Sequence, residues 1–89
     1  MKVTNLDITT PYNQVLAIAS KAIHNQDFSF ELAPSGELKG MNIYDDMGDV
    51  TQIEMDCIMF FEVYNLAVNA GGLSDEKSAI INPIIHQLH

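Results

Sequence analysis

The sequence predicts a small α+β domain: an N-terminal helix, a small antiparallel hairpin sheet, a long central helix and a proline-kinked C-terminal helix. Three observations predict it. Apolar residues recur at helical spacing over residues 11–25, alternate with polar ones over residues 27–32, and return to helical spacing after residue 50. Clusters with turn chemistry, Ala33-Pro34-Ser35-Gly36 and Asp45-Asp46-Met47-Gly48-Asp49, separate these stretches. At 89 residues, with no repeat or linker-like tract, the chain suits one domain over residues 1–89.

Val3, Leu6 and Ile8 fit either a short strand or a packed arm. Thr10 then offers an N-cap and Pro11 a first helical residue, where its missing N–H costs nothing. Tyr12, Val15, Leu16, Ile18, Ala19, Ala22 and Ile23 fall on one face of this helix, with Asn13, Ser20, Lys21 and His24 on the other. Phe28, Phe30 and Leu32 alternate with Asp27, Ser29 and Glu31, the period of a half-buried strand. Pro34 suits the first corner of the following turn and Gly36 its positive-φ position. The return strand runs from Glu37 to Tyr44, and Gly40 within it predicts a bulge that turns Met41 and Ile43 inward.

Asp49 is the expected cap of a helix over residues 50–69, closed by Gly71-Gly72. A third strand over residues 49–53 is the alternative, because Val50, Thr51 and Ile53 are β-branched. Read as a helix, residues 50–69 have two apolar sides. Ile53, Cys57, Phe60, Phe61, Tyr64, Ala67 and Val68 form the expected core stripe; Met55, Met59, Val63 and Leu66 lie nearly opposite. The second set either packs under the C-terminal helix or forms a self-association face. Ser74 caps that last helix, and Ile80, Ile81, Ile84, Ile85 and Leu88 share one side of it. Their phase runs unbroken through Pro83, which favours a kinked helix over one that stops and restarts with Asn82 as cap.

A chain this short buries only about 60% of its unfolded surface, so its stability margin is thin. Cys57 is the one cysteine, which excludes an intrachain disulfide and a multi-cysteine zinc site. The first residues show no basic stretch leading into an apolar core, and no apolar run reaches the roughly 20 residues of a membrane span. The expectation is a soluble cytoplasmic protein.

The net charge of −8 comes from a shortage of bases, since twelve acidic residues face four lysines and no arginine. Direct nucleic-acid binding, which rests on neutralising phosphates, is thereby excluded as the main activity. Glu37, Asp45, Asp46, Asp49, Glu54, Asp56 and Glu62 share the middle third of the chain with Lys39 alone. That run reads as a solvated face or as an acidic patch that docks on a basic surface. Asp45, Asp46 and Asp49 offer oxygen ligands, but their spacing is not that of a calcium loop and suits turn and cap roles better.

Cys57, on the expected core stripe, reads as a small buried hydrophobe. His24 falls on the solvated face; His86 and His89, one turn apart at the terminus, are a poor scaffold for a metal. No phosphate loop, dinucleotide fingerprint, nucleophile elbow or zinc-protease motif occurs, and no catalytic residue, cofactor or metal is expected. The leading expectation is therefore a non-catalytic binding protein or inhibitor. Its acidic surface would occupy a basic site on a larger protein, with no membrane partner. An inhibitor of the kind phages and mobile elements carry fits the size and charge, and nucleic-acid mimicry is one version of it. The alternatives are a homo-oligomeric structural or adaptor subunit, dimerising through Met55, Met59, Val63 and Leu66, and a small carboxylate- or metal-assisted enzyme.

Overall fold

The computed structural model describes residues 1–7 and 9–88, and Ile8 and His89 lie outside the described residues. Seven elements follow one another: β1 (Val3–Leu6), α1 (Tyr12–Asn25), β2 (Asp27–Leu32), β3 (Leu38–Tyr44), β4 (Val50–Glu54), α2 (Cys57–Asn69) and α3 (Asp75–Gln87). The class is α+β. The strands form one sheet in the order β1-β4-β3-β2, in which β1 runs parallel to β4 and the other pairs are antiparallel.

Local chemistry accounts for the three-strand meander. Both hairpins turn on four residues that end in a glycine, Ala33 to Gly36 and Asp45 to Gly48. In each the glycine N–H donates to the carbonyl of the first turn residue, at 2.8 and 3.1 Å. Gly36 and Gly48 sit at φ +90° and +82°, a conformation that costs a side-chain-bearing residue. The Asp45 carboxylate accepts from the backbone N–H groups of Met47 and Asp49, both at 2.9 Å, and so holds its own turn closed. The expected bulge is present: Glu31 pairs with Gly40 and Leu32 with Leu38, which leaves Lys39 as the extra residue. Met41 and Ile43 face inward and are buried, as the bulge requires.

The expected helix over residues 50–69 divides. Its first five residues form β4, because Val50 to Ile53 find backbone partners on both sides, in β3 and in β1, and Glu54 pairs with Gly40. Two hydrogen-bond ladders and a β-branched composition outweigh the weak helical periodicity there. Asp49 does not cap a helix; its carboxylate accepts from the Lys2 backbone N–H at 2.8 Å. Helix α2 starts later, capped by Asp56, whose carboxylate accepts from the Met59 N–H at 2.9 Å. The sheet thus has four strands and mixed pairing in place of an antiparallel hairpin of two or three, and the central helix is shorter than expected. Helix α1 also begins one residue later than expected, with Pro11 at the cap position and no side-chain cap. Ser74 does cap α3 through the Lys77 N–H.

All three helices pack on the sheet face that carries Phe28, Leu38, Met41, Ile43 and Ile53; the alternate residues Tyr44, Gln52 and Glu54 face solvent. Phe60 of α2 stands at the centre, 2% exposed, with the rings of Phe30 and Phe61 edge-on at 5.3 Å and Tyr64 stacked at 6.4 Å. Aromatic pairs of this kind contribute roughly 0.5–1.5 kcal/mol each beyond area burial. Helix α1 packs beside α2. Two bonds tie them: the Tyr12 hydroxyl donates to the Glu62 carboxylate at 3.0 Å, and His24 Nε2 donates to the Ala67 carbonyl at 2.6 Å. His24 therefore joins two helices, where a solvated role was expected.

Helix α3 is anchored on the start of β2 by Lys77. Its ammonium donates to the Gln26 carbonyl at 2.9 Å and lies 4.9 Å from the Phe28 ring centroid. Ile81 and Ile84 are buried beneath it. The helix runs through Pro83 without stopping. Pro83 and Ala79 are both exposed, so water can satisfy the Ala79 carbonyl that loses its helical partner.

Gly40 is the most constrained backbone position. A Cβ there would lie 2.7 Å from the Ile53 carbonyl oxygen, across the β3–β4 ladder. Gly40→Ala should therefore destabilise the protein by about 1–3 kcal/mol, the cost of overpacking a rigid contact. Urea unfolding of the two proteins reads the difference, and equal midpoints would show that the ladder yields without cost.

Candidate partner-binding groove

Both β1 and β4 run toward the same end of the sheet, so Leu6 and Asp7 arrive beside Ile53 and Glu54. Helices α1 and α2 both start there. A groove of about 890 Å³ opens between them, lined by Leu6, Asp7, Tyr12, Glu31, Lys39, Glu54, Met55, Asp56 and Met59 among others. Its floor is apolar: Met55 is buried, and Leu6 and Met59 are half-buried. Its rim carries the carboxylates of Asp7, Glu31, Glu54 and Asp56, all exposed, against the single cation Lys39. A smaller depression of about 200 Å³ adjoins it over Gly40, where Glu31 and Glu54 flank the glycine on the neighbouring strands.

The register divides the seven acidic residues of the middle third. Glu54 and Asp56 line the groove, and Glu62 reaches it through Tyr12. Glu37 stands nearby, paired with Lys39 at 3.5 Å. Asp45, Asp46 and Asp49 lie in the β3–β4 turn at the opposite end, roughly 15 Å away along the five residues of β4. Two carboxylates from outside that run, Asp7 and Glu31, join the groove instead. Sequence proximity could not find them, because strand pairing brings them in.

No protein-family model, no curated protein and no solved structure matches this chain.

The electrostatics of the groove follow from its own geometry. Two helix N-termini open on it, each worth about half a positive charge. Four whole negative charges on the rim outweigh them together with Lys39. Hydrogen bonds from the Thr9 hydroxyl, at 2.6 Å, and the Thr9 N–H, at 2.9 Å, hold the Asp7 carboxyl below its usual range, so it stays ionised. Among the described residues the Lys39–Glu37 contact is the one ion pair, and it is exposed, which makes it weak.

The remaining sequence candidates fall as follows. Cys57 is exposed in the first turn of α2, not buried in the core, because the helix begins there and turns Phe60 inward instead. Met55 and Val63 are buried in the core and Met59 packs against it, whereas Leu66 is 44% exposed. Helix α1 packs beside α2, Lys77 ties α3 to the start of β2, and Met55, Val63, Ile81 and Ile84 belong to one buried cluster. No group of three or more His, Cys, Asp or Glu that could hold a metal occurs among the described residues. His86 is exposed, and its expected companion His89 lies outside the described residues.

Tyr12 stands at the groove mouth, 46% exposed, with its hydroxyl on Glu62. Desolvation first, then the Glu62 hydrogen bond and the charges of Glu62 and Asp56, raise its phenol above the usual 10.0. A raised phenol stabilises the fold fully below pH 10, and that contribution is lost as pH rises through the folded value. Ultraviolet titration should show a late-ionising tyrosine that Tyr12→Phe removes and Glu62→Gln moves part of the way back. A titration curve unchanged by Tyr12→Phe would contradict this.

Proposed function

We propose that the chain is a non-catalytic protein-binding module, an inhibitor or adaptor, that occupies a basic site on a larger protein. The observation that carries this reading is the groove: an apolar floor rimmed by exposed carboxylates whose charge the protein's own lysines leave largely unanswered. Complementary fields of this kind raise association rates and select partners by charge. The three aspartates of the β3–β4 turn extend the negative field to the far end of the sheet and add to long-range attraction. The local hydrogen bonds of Asp45 serve the turn, and the Asp49 carboxylate accepts from the Lys2 N–H. No helix among the described residues is long and apolar enough to cross a membrane. The reading has the protein act in the cytoplasm, where a single exposed cysteine stays reduced.

The test is kinetic. With a partner captured from the native host and purified, association should slow as salt rises from about 0.05 to 0.5 M, since the Debye length shrinks several-fold over that range. Two matched charge-neutralised variants, Glu31→Gln/Glu54→Gln and Asp27→Asn/Asp46→Asn, should each lower the on-rate about three- to tenfold, with dissociation less affected. Association independent of salt and of both pairs would overturn the reading.

A further inference from the structure

The groove carries more information than its charge. Its walls combine three features that a single kind of side chain satisfies together. Leu6 and Met59 present half-buried apolar surface. Tyr12 presents an exposed ring whose position is fixed at its hydroxyl by Glu62. Glu31 and Glu54 stand on either side of Gly40, which pairs with both, is itself buried and places no side chain of its own between them. Asp7 closes the same row, one residue past the Leu6↔Ile53 pair. Adjacent strands lie about 4.8 Å apart, so the backbones of Glu31 and Glu54 are separated by roughly 10 Å. That interval admits a planar cation between two carboxylates.

Resting on the protein-binding reading, we propose that this groove and the depression over Gly40 receive an arginine-bearing segment of the partner protein. The aliphatic stems lie on Leu6 and Met59, as long cationic side chains do on apolar surface. The guanidinium groups meet the Tyr12 ring and the carboxylates of Asp7, Glu31 and Glu54, since arginine is the cation that both stacks on aromatic faces and bridges carboxylates. A surface of uniform charge would need neither the methionine floor nor the ring. The occupant is a protein segment because the chain's negative charge repels nucleic acid and anionic lipid.

The probe is a blocked tri-arginine peptide, followed by methyl NMR of the methionines in the full chain. Met59 reports the groove, and Met47, exposed in the β3–β4 turn, reports the other acidic end. The expected result is a saturable shift of Met59 with Met47 unmoved, abolished when citrulline replaces arginine. Glu31→Gln/Glu54→Gln and, separately, Tyr12→Leu should each weaken binding at least fivefold while circular dichroism stays unchanged. Shifts at Met47 in place of Met59, equal binding of the citrulline peptide, or no shift at all would overturn the proposal. Equal shifts from spermidine, a flexible cation without a planar group, would overturn it too. Any of these alongside salt-dependent partner association removes the arginine groove and leaves the protein-binding reading standing. Salt-independent partner association removes that reading by itself.

Discussion

The parallel pairing of β1 with β4 is the constraint on which the other elements depend. Two parallel neighbours cannot be joined by a tight turn, so the chain leaving β1 must travel back across the sheet before it can return. It does so as α1, re-enters at the far edge as β2, and comes back to β1 through two hairpins. The route lays α1 across one sheet face and leaves the other to solvent. It also fixes the polarity of the helices: α1 and α2 both leave the end of the sheet at which β1 and β4 finish. The groove lies there because two strands end and two helices begin at one place.

A sheet covered on one face needs a core that reaches all four strands from one side. Phe60 supplies its centre, touching Phe30 from the sheet and Phe61 and Tyr64 from its own helix. Around it the helices are positioned by single polar bonds at the margin of the core: Tyr12 to Glu62, His24 to Ala67, and Lys77 to Gln26. Each net hydrogen bond contributes only about 1 kcal/mol. What such bonds provide is angular definition, which apolar packing among short aliphatic side chains supplies poorly. The Tyr12 bond does this at the mouth of the groove, and so links helix packing to the shape of the surface.

Charge follows a separate logic. With four lysines and no arginine, most carboxylates cannot find an internal cation, and Lys77 is directed to a carbonyl and a ring. The fold then sorts the acids into two groups at opposite ends of the sheet. At one end Asp45 closes a turn; at the other the acids stand around an apolar floor beside Gly40, a strand position without a side chain. The difference lies in what surrounds them, since the net charge is a property of the whole chain and says nothing of where attraction meets shape. On that ground the groove, more than the acidic count, supports a docking role.

Elements whose cause is local are legible in the chain alone. Helix α1 follows from its apolar stripe, the first hairpin from its glycine-ended turn, the bulge from Gly40, and the start of α3 from Ser74. Each depends on residues a few positions apart, and the chain expresses the interaction wherever it goes. Residues 50–54 were legible only as a choice, because Val50, Thr51 and Ile53 suit a strand while their apolar spacing suits a helix. Tertiary structure decided it: β1, distant in sequence, supplies the second ladder that makes a strand the better state. The same pairing moved the cap from Asp49 to Asp56, brought Cys57 to the surface and set Asp7 beside Glu54, while the β2–β3–β4 ladders brought in Glu31. Strand pairing over long sequence separation leaves no periodic trace in the chain, because its hydrogen bonds are made by backbone groups that every residue carries.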